Sequence, residues 1–292
     1  MESTTASPTD ADALLTAIED SADKLLKDRG GLGVPRELRA SEHDALPRAE
    51  FRREDWQAMA ELGWQGILVP EAGGGLDLGI EAAAAVARRM GQWLAPEPFT
   101  VTAGVAATLL AGASTEAAAQ LLAAVVSGDR IVGTVLDLDQ APTLQCSKAE
   151  GGLCLSGHAS YAALADPCDG WLLAAHDGRQ QLVLVYVDAQ TPGLVATPAL
   201  EVDGRCRTSL QFDATALPAG AVIAEGDAAA ALLRQGVQAG RLLCAAELLG
   251  AAERLHALTL EYVSQRKQFG KPIGSFQAVK HLEGQALVTS AG

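Results

Sequence analysis

The residues best suited to chemistry lie late in the chain, in Arg266-Lys267-Gln268-Phe269-Gly270-Lys271-Pro272-Ile273-Gly274-Ser275-Phe276-Gln277. A planar, permanently charged guanidinium such as that of Arg266 can grip a diphosphate through two parallel hydrogen bonds. The competing reading of Arg266 is a solvated side chain just past a helix. Other chemistries find less support. His43, His158, His176, His256 and His281 form no H-x-x-x-H or H-E-x-x-H pair, so no metal site is expected. There is no G-x-S-x-G nucleophile elbow. Gly73-Gly74-Gly75 lacks a following Gly-Lys-Ser/Thr and reads as a flexible turn, not a phosphate loop.

The elements that must position these residues can be read from pattern. Between about Asp10 and Gly128 the apolar spacing is helical, beginning with Leu14, Leu15, Ile18, Ala22, Leu25 and Leu26 and ending at Arg29-Gly30-Gly31. Further helices are predicted over Phe51 to Leu62, Ile80 to Met90, Thr100 to Leu110 and Ser114 to Val126, the last with Ser114 as N-cap. From about Arg130 the texture changes to short β-like runs, clearest at Arg130 to Leu136, Trp171 to Ala175, Leu182 to Val187 and Arg207 to Phe212. Asp177-Gly178 reads as a hairpin turn. A long helix then runs from about Asp227 to Gln265, with an apolar stripe that includes Leu232, Leu233, Leu242, Leu243, Leu248, Leu249, Leu255, Leu258 and Val263. A polar break at Arg266 to Ser275 contains Pro272, and another helix begins near Phe276. The expected architecture is α+β and multidomain: a helical N-terminal domain over 1–128, a small antiparallel β-barrel or sheet over 129–226, and the start of a C-terminal helical bundle over 227–292.

With 49% apolar residues in 292, the chain has ample material for buried cores. Lys plus Arg number 22 against 36 Asp plus Glu, a net charge of −14, which argues against nucleic-acid or anionic-membrane partners. It leaves room for an anionic cofactor held by a few placed arginines. The five cysteines, Cys146, Cys154, Cys168, Cys206 and Cys244, form no C-x-x-C pair and fit a reducing cytoplasm. No secretory signal and no apolar run of about 18 residues is present, so neither targeting nor membrane insertion is expected.

The late segment resembles the acyl-CoA dehydrogenase signature R-x-x-F-G-x-x-I-x-x-F-Q. A second stretch, Leu62-Gly63-Trp64-Gln65-Gly66-Ile67-Leu68-Val69-Pro70-Glu71 followed by Gly74-Gly75-Leu76, is similar to that family's L-G-x-x-G-x-x-x-P-E-x-x-G-G-x-G segment. The order helical domain, β domain, helical domain is also the family's. The resemblance implies FAD and the α,β-desaturation of an acyl-CoA thioester, with the α-proton taken by a carboxylate and the β-hydrogen passing as hydride to flavin N5. It implies that Arg266 reaches the FAD pyrophosphate, often of a cofactor bound mainly by a neighbouring subunit. Phe269 would then supply an apolar wall and Gln277 an amide contact. Tyr161 would stack on the isoalloxazine, or else serve as an ordinary strand residue.

Several positions depart from the family pattern. The flavin segment T-E-P-x-A-G-S-D is replaced by Val135-Leu136-Asp137-Leu138-Asp139-Gln140-Ala141-Pro142, and G-x-K-x-W-I-T-N by Gly157-His158-Ala159-Ser160-Tyr161-Ala162-Ala163-Leu164. Arg241 matches an arginine near the family's active site, or forms a salt bridge within the helical domain. The residue before it, where some members carry the catalytic glutamate, is Gly240. Glu247 and Glu253 match no family position and read as surface or paired carboxylates, so the catalytic base is unassigned. Two functions are therefore expected: an FAD-dependent dehydrogenase, or a catalytically silent partner subunit lending Arg266, Phe269 and Gln277 to FAD on another chain. Either implies a dimer or tetramer, possibly with a homologous subunit, and an electron-transfer partner. The 66 residues after Gly226 are short for a four-helix C-terminal domain of this type, so a truncated chain is expected.

Overall fold

A computed structural model describes residues 8–39, 51–136, 144–164, 168–201 and 205–291. It divides into two compact units, one of residues 1–32, 84–95 and 244–292, the other of 33–83 and 96–243. The helices are α1 (Pro8–Asp28), α2 (Gly33–Arg39), α3 (Arg53–Glu61), α4 (Gly79–Trp93), α5 (Ala107–Ala111), α6 (Glu116–Val126), α7 (Gly226–Gln265) and α8 (Gln277–Ala291). The strands of the main sheet are β1 (Val132–Val135), β2 (Leu144–Ala149), β3 (Gly152–Ala163), β4 (Gly170–His176), β5 (Leu182–Asp188), β6 (Leu194–Leu200), β7 (Cys206–Pro218) and β8 (Val222–Glu225). All eight fall between α6 and α7, which is the helix–strand–helix order expected of the fold.

The sheet runs β6-β7-β3-β2-β4-β5-β8 and is mostly antiparallel. It is mixed rather than purely antiparallel, because β1 pairs with β4 in parallel, Val132 opposite Gly170 and Val135 opposite Leu173. Strand alternation divides β4 between two cores. Leu172 and Ala174 join Val105, Leu109, Leu122 and Leu233 on the helical side. Trp171, Leu173 and Ala175 join Leu155, Leu210 and Phe212 on the other. Strand β4 is buried on both faces and is the spine of this unit.

Several local expectations shift. The cap of α6 is Thr115, one residue beyond Ser114, and its side chain accepts a hydrogen bond from Ala118 N. The Asp177-Gly178 turn is a five-residue loop: Asp177 N donates to Gln181 O, and Asp177 Oδ1 accepts from the backbone N–H groups of Arg179 and Gln181 at 2.8 Å. The helix expected over Thr100 to Leu110 opens as a π-helical stretch, Phe99–Ala106, before α5. Gly75 is not a flexible link. A β-carbon there would overlap the backbone of Val69, and the loop is tied down by Leu76 N to Gly66 O at 2.9 Å and Asp77 N to Val69 O at 3.0 Å.

The helix α7 is uninterrupted over 40 residues, but its apolar stripe has two fates. Leu232, Leu233 and Leu243 are buried, whereas Leu248 and Leu255 are exposed. In the 33–83/96–243 unit, Gly236 and Gly240 let α7 lie against Leu109 and Val105, and Gly104 receives Leu243. In the other unit, α4 and α7 meet through Gly91 and Gly250. A β-carbon on Gly250 would come within 2.7 Å of the carbonyl carbon of Arg88, and one on Gly91 within 2.7 Å of that of Glu247. Around that crossing Arg88 bonds Glu253 through Nε and Nη2 at 2.9 and 2.5 Å, and Arg89 bonds Glu19 at 2.7 Å. Trp93 Nε1 donates to Asp23 at 2.9 Å, and Arg254 lies over the Trp93 ring at 5.5 Å. Burial pushes the Glu253 carboxyl up, but hydrogen bonds from Arg88 and Gln92 and the charges of Arg88 and Arg89 outweigh it and hold the group below the ordinary carboxylate range.

Candidate functional site

The late motif folds as a small finger between α7 and α8. Arg266 N donates to Tyr262 O at 2.8 Å, ending α7, and Ile273 N donates to Arg266 O at 2.8 Å, closing the finger at its base. Between these bonds, β9 (Lys267–Gln268) pairs antiparallel with β10 (Lys271–Pro272). The two residues at the tip, Phe269 and Gly270, have φ of 52° and 80°, the positive pair that a mirror-image two-residue hairpin turn requires. Glycine adopts this freely. Phenylalanine does not, and the strain is worth about 1–2 kcal/mol.

That strained residue is also the most exposed large hydrophobic side chain among those described: Phe269 is 93% exposed. Its ring meets Phe276 edge-on at 6.2 Å, and Lys271 Nζ sits 4.4 Å from the centroid of the same Phe276 ring. Ser275 Oγ donates to Pro272 O at 2.7 Å, which shapes the turn into α8, where exposed Gln277 is the first residue. Arg266 is exposed and, among the described residues, has no ion-pair partner within the chain. Arg266, Lys267, Lys271 and Lys280 all precede Glu283, with no acid between, so an acidic protein carries a locally cationic finger. The structure thus brings Arg266, Phe269 and Gln277 into one short, exposed element. An unpaired guanidinium beside an exposed ring is a donor set that fits a diphosphate joined to an aromatic heterocycle.

Replacing Phe269 by asparagine, which tolerates positive φ, is expected to stabilise the finger by about 1 kcal/mol. The same change removes the exposed ring and should reduce flavin retention. Urea unfolding and flavin content measured side by side give opposite signs if the ring is held strained for use. A loss of stability would sink the strain assignment.

The other expected residues fare differently. Tyr161 lies in β3 at an irregularity, between the Ala159–Leu210 and Ala162–Thr208 pairs, and its side chain falls outside the described residues. Of the Val135 to Pro142 segment, Val135 ends β1, and positions 137–143 fall outside the described residues. Gly240 is packed: a β-carbon there would stand 2.8 Å from Val105 Cγ2. Arg241 is exposed on α7, and Glu253 is the paired carboxylate described above.

Pattern reading missed Glu97, which is 5% exposed and lies between Pro96 and Pro98. Burial pushes its carboxyl up to about 7, with the charge of Asp55 adding to it, against the opposing pull of a hydrogen bond from its own backbone N–H and of the charges of Arg52 and Arg205. No periodicity marks a buried acid in a proline-flanked turn.

Comparison with known proteins agrees with this architecture. The acyl-CoA dehydrogenase N-terminal domain family matches residues 24–129, and the acyl-CoA dehydrogenase C-terminal domain family matches residues 230–290. Acyl-CoA dehydrogenase IpdE2 of Mycobacterium tuberculosis is 32% identical over 238 residues, covering 81% of this chain and 61% of IpdE2. Acyl-CoA dehydrogenase FadE28 of the same organism is 30% identical over 249 residues, covering 85% of this chain and 70% of FadE28. Among solved structures, a variant of the Tcur3481-Tcur3483 steroid ACAD superposes with a TM-score of 0.83 at 27% identity, covering 96% of this chain and 75% of that one. The chain therefore spans about three fifths of IpdE2's length. With the finger, the mixed sheet and both flanking helical regions in place, the chain belongs to the acyl-CoA dehydrogenase family.

Proposed function

We propose that this chain works in an FAD-dependent acyl-CoA dehydrogenase, with Arg266, Phe269 and Gln277 holding the cofactor. The observation that carries the reading is Arg266, exposed and without an ion-pair partner among the described residues, on a finger whose tip presents Phe269. Arg266 would grip the diphosphate, Phe269 would wall off the apolar side, and Gln277 would direct its amide at the same group. FAD, when bound, supplies the acceptor for the β-hydrogen. The substrate class is a CoA thioester of a fatty-acid-like or steroid-derived acyl group. The three-domain division at 128/129 and 226/227 belongs to the same reading, as do a dimeric or tetrameric assembly, an electron-transfer partner and a cytoplasmic setting. No described helix is long and apolar enough to cross a membrane, and no disulfide joins the five cysteines.

A second reading follows from the packing at Gly240. A glutamate at that position would drive its β-carbon against Val105, so α7 cannot carry the base there without local repacking. On this reading the chain is a catalytically silent subunit that lends its finger to FAD on a homologous partner. The visible spectrum of the purified protein separates the two. Stoichiometric yellow flavin and dye reduction with an acyl-CoA support the enzyme. A colourless chain that gains flavin only with a partner supports the subunit, and no flavin under either condition overturns both.

A further inference from the structure

The two strands of the finger do not by themselves fix its tip. Only two residue pairs join β9 to β10, Lys267 with Pro272 and Gln268 with Lys271, and an isolated two-stranded hairpin is marginal in water. Burial does not hold the tip ring either, since Phe269 is 93% exposed. The proposed cofactor contact needs that ring in a set place relative to Arg266. Some other side chain must set it.

Phe276 is placed to do so. It lies beyond the second strand, where α8 starts: Phe276 N donates to Ile273 O at 3.2 Å, and Phe276 O accepts from Lys280 N at 3.1 Å. Ile273 is in turn bonded to Arg266 at the base of the finger, so the backbone of Phe276 is tied both to that base and to the first turn of the helix. Its side chain is half-buried, where that of Phe269 is not.

The ring of Phe276 meets the finger at two points. The Phe269 ring stands 6.2 Å away with the planes at 89°, and Lys271 Nζ lies over the Phe276 ring at 4.4 Å. An aromatic ring is negative on its faces and positive at its edge, so the edge-on pair and the ammonium contact are both attractive. One anchored ring thus bears on the tip and on β10 together. Among the described residues, Phe276 is the only ring that Phe269 meets.

We propose that Phe276 is the positioning residue of the finger: it sets the Phe269 ring before the cofactor arrives and acts on binding through that ring, not by its own contact with the cofactor. The proposal rests on the reading that the finger holds FAD. Presetting the ring lowers the ordering that binding would otherwise require.

The test is a double-mutant cycle on flavin retention in the full chain, with NMR of the flavin-free protein beside it. Phe276→Leu is expected to lower retention after gel filtration roughly threefold to tenfold, the range an aromatic pair supplies. Phe276→Tyr keeps the ring and should retain flavin as the wild type does. Phe269→Ala keeps the β-carbon and its positive φ but loses the ring, and in that background Phe276→Leu should have no further effect. In the flavin-free wild type, NMR cross-peaks between the ring protons of Phe269 and Phe276 are expected. Their absence overturns the proposal, and this measurement stands even where Phe276→Leu does not fold. A further loss from Phe276→Leu on top of Phe269→Ala overturns it too, because the residue would then act on its own. Full retention in Phe276→Leu, while Arg266→Ala and Phe269→Ala lose flavin, overturns the positioning role and leaves the FAD reading intact. Full retention in both Arg266→Ala and Phe269→Ala overturns the FAD reading, and the proposal with it.

Discussion

Replacing Gly250 with valine is expected to break the seating of α7 on α4 and to cost about 3 kcal/mol or more. The added β-carbon would strike the backbone of Arg88, which cannot rotate away as a side chain would. Separating the helices also lengthens the Arg88–Glu253 bonds, leaving a part-buried carboxylate without its guanidinium. The expected readout is a fall in Tm of about 10 °C, given a few degrees per kcal/mol for a domain of this size. Gly284→Ala is the matched control. Nothing lies within 4 Å of a β-carbon at Gly284 on α8, so the better helix former should stabilise by up to about 1 kcal/mol. Equal effects at the two glycines would refute the close-approach argument.

Arg266→Ala is expected to weaken FAD retention by roughly tenfold to a hundredfold, the loss of one charge-assisted contact worth about 1.5–3 kcal/mol. Thermal stability of the apoprotein should stay unchanged, because the side chain is exposed and has no ion pair among the described residues. Arg266→Lys keeps the charge but loses the planar fork, and should recover only part of the retention. Flavin content after gel filtration, at equal protein concentration, provides the measurement. Full retention in the alanine variant would remove Arg266 from the proposed site and return it to the reading of a solvated arginine past a helix.

The legible parts of this protein were those written in local pattern. Helix α6 and the long α7 announce themselves by apolar spacing and punctuating glycines, and the finger by a motif within twelve consecutive residues. Strands β2, β3 and β6 were harder to read. Strand β6, Leu194–Leu200, is nearly all exposed and shows no inward and outward alternation, and β3 is rich in Ala, Gly and Ser and is interrupted by two irregularities. The apolar residues of α7 looked like one stripe. Their burial differs because a stripe states only what can be buried, while the neighbours decide what is.

Sequence alone determined the helix–strand–helix order, the family, and the cationic finger that places Arg266, Phe269 and Gln277 together, because each depends on residues close in the chain. The tertiary structure decided the rest. Gly91 and Gly250 read locally as weak points in helices, and only the crossing of α4 and α7 shows why no side chain fits there. Glu97 reads locally as an ordinary acid between two prolines. Its carboxyl is pushed up mainly by burial and by Asp55, against a local backbone hydrogen bond and the charges of Arg52 and Arg205; the three charged groups lie some forty to a hundred residues away and come close only on folding.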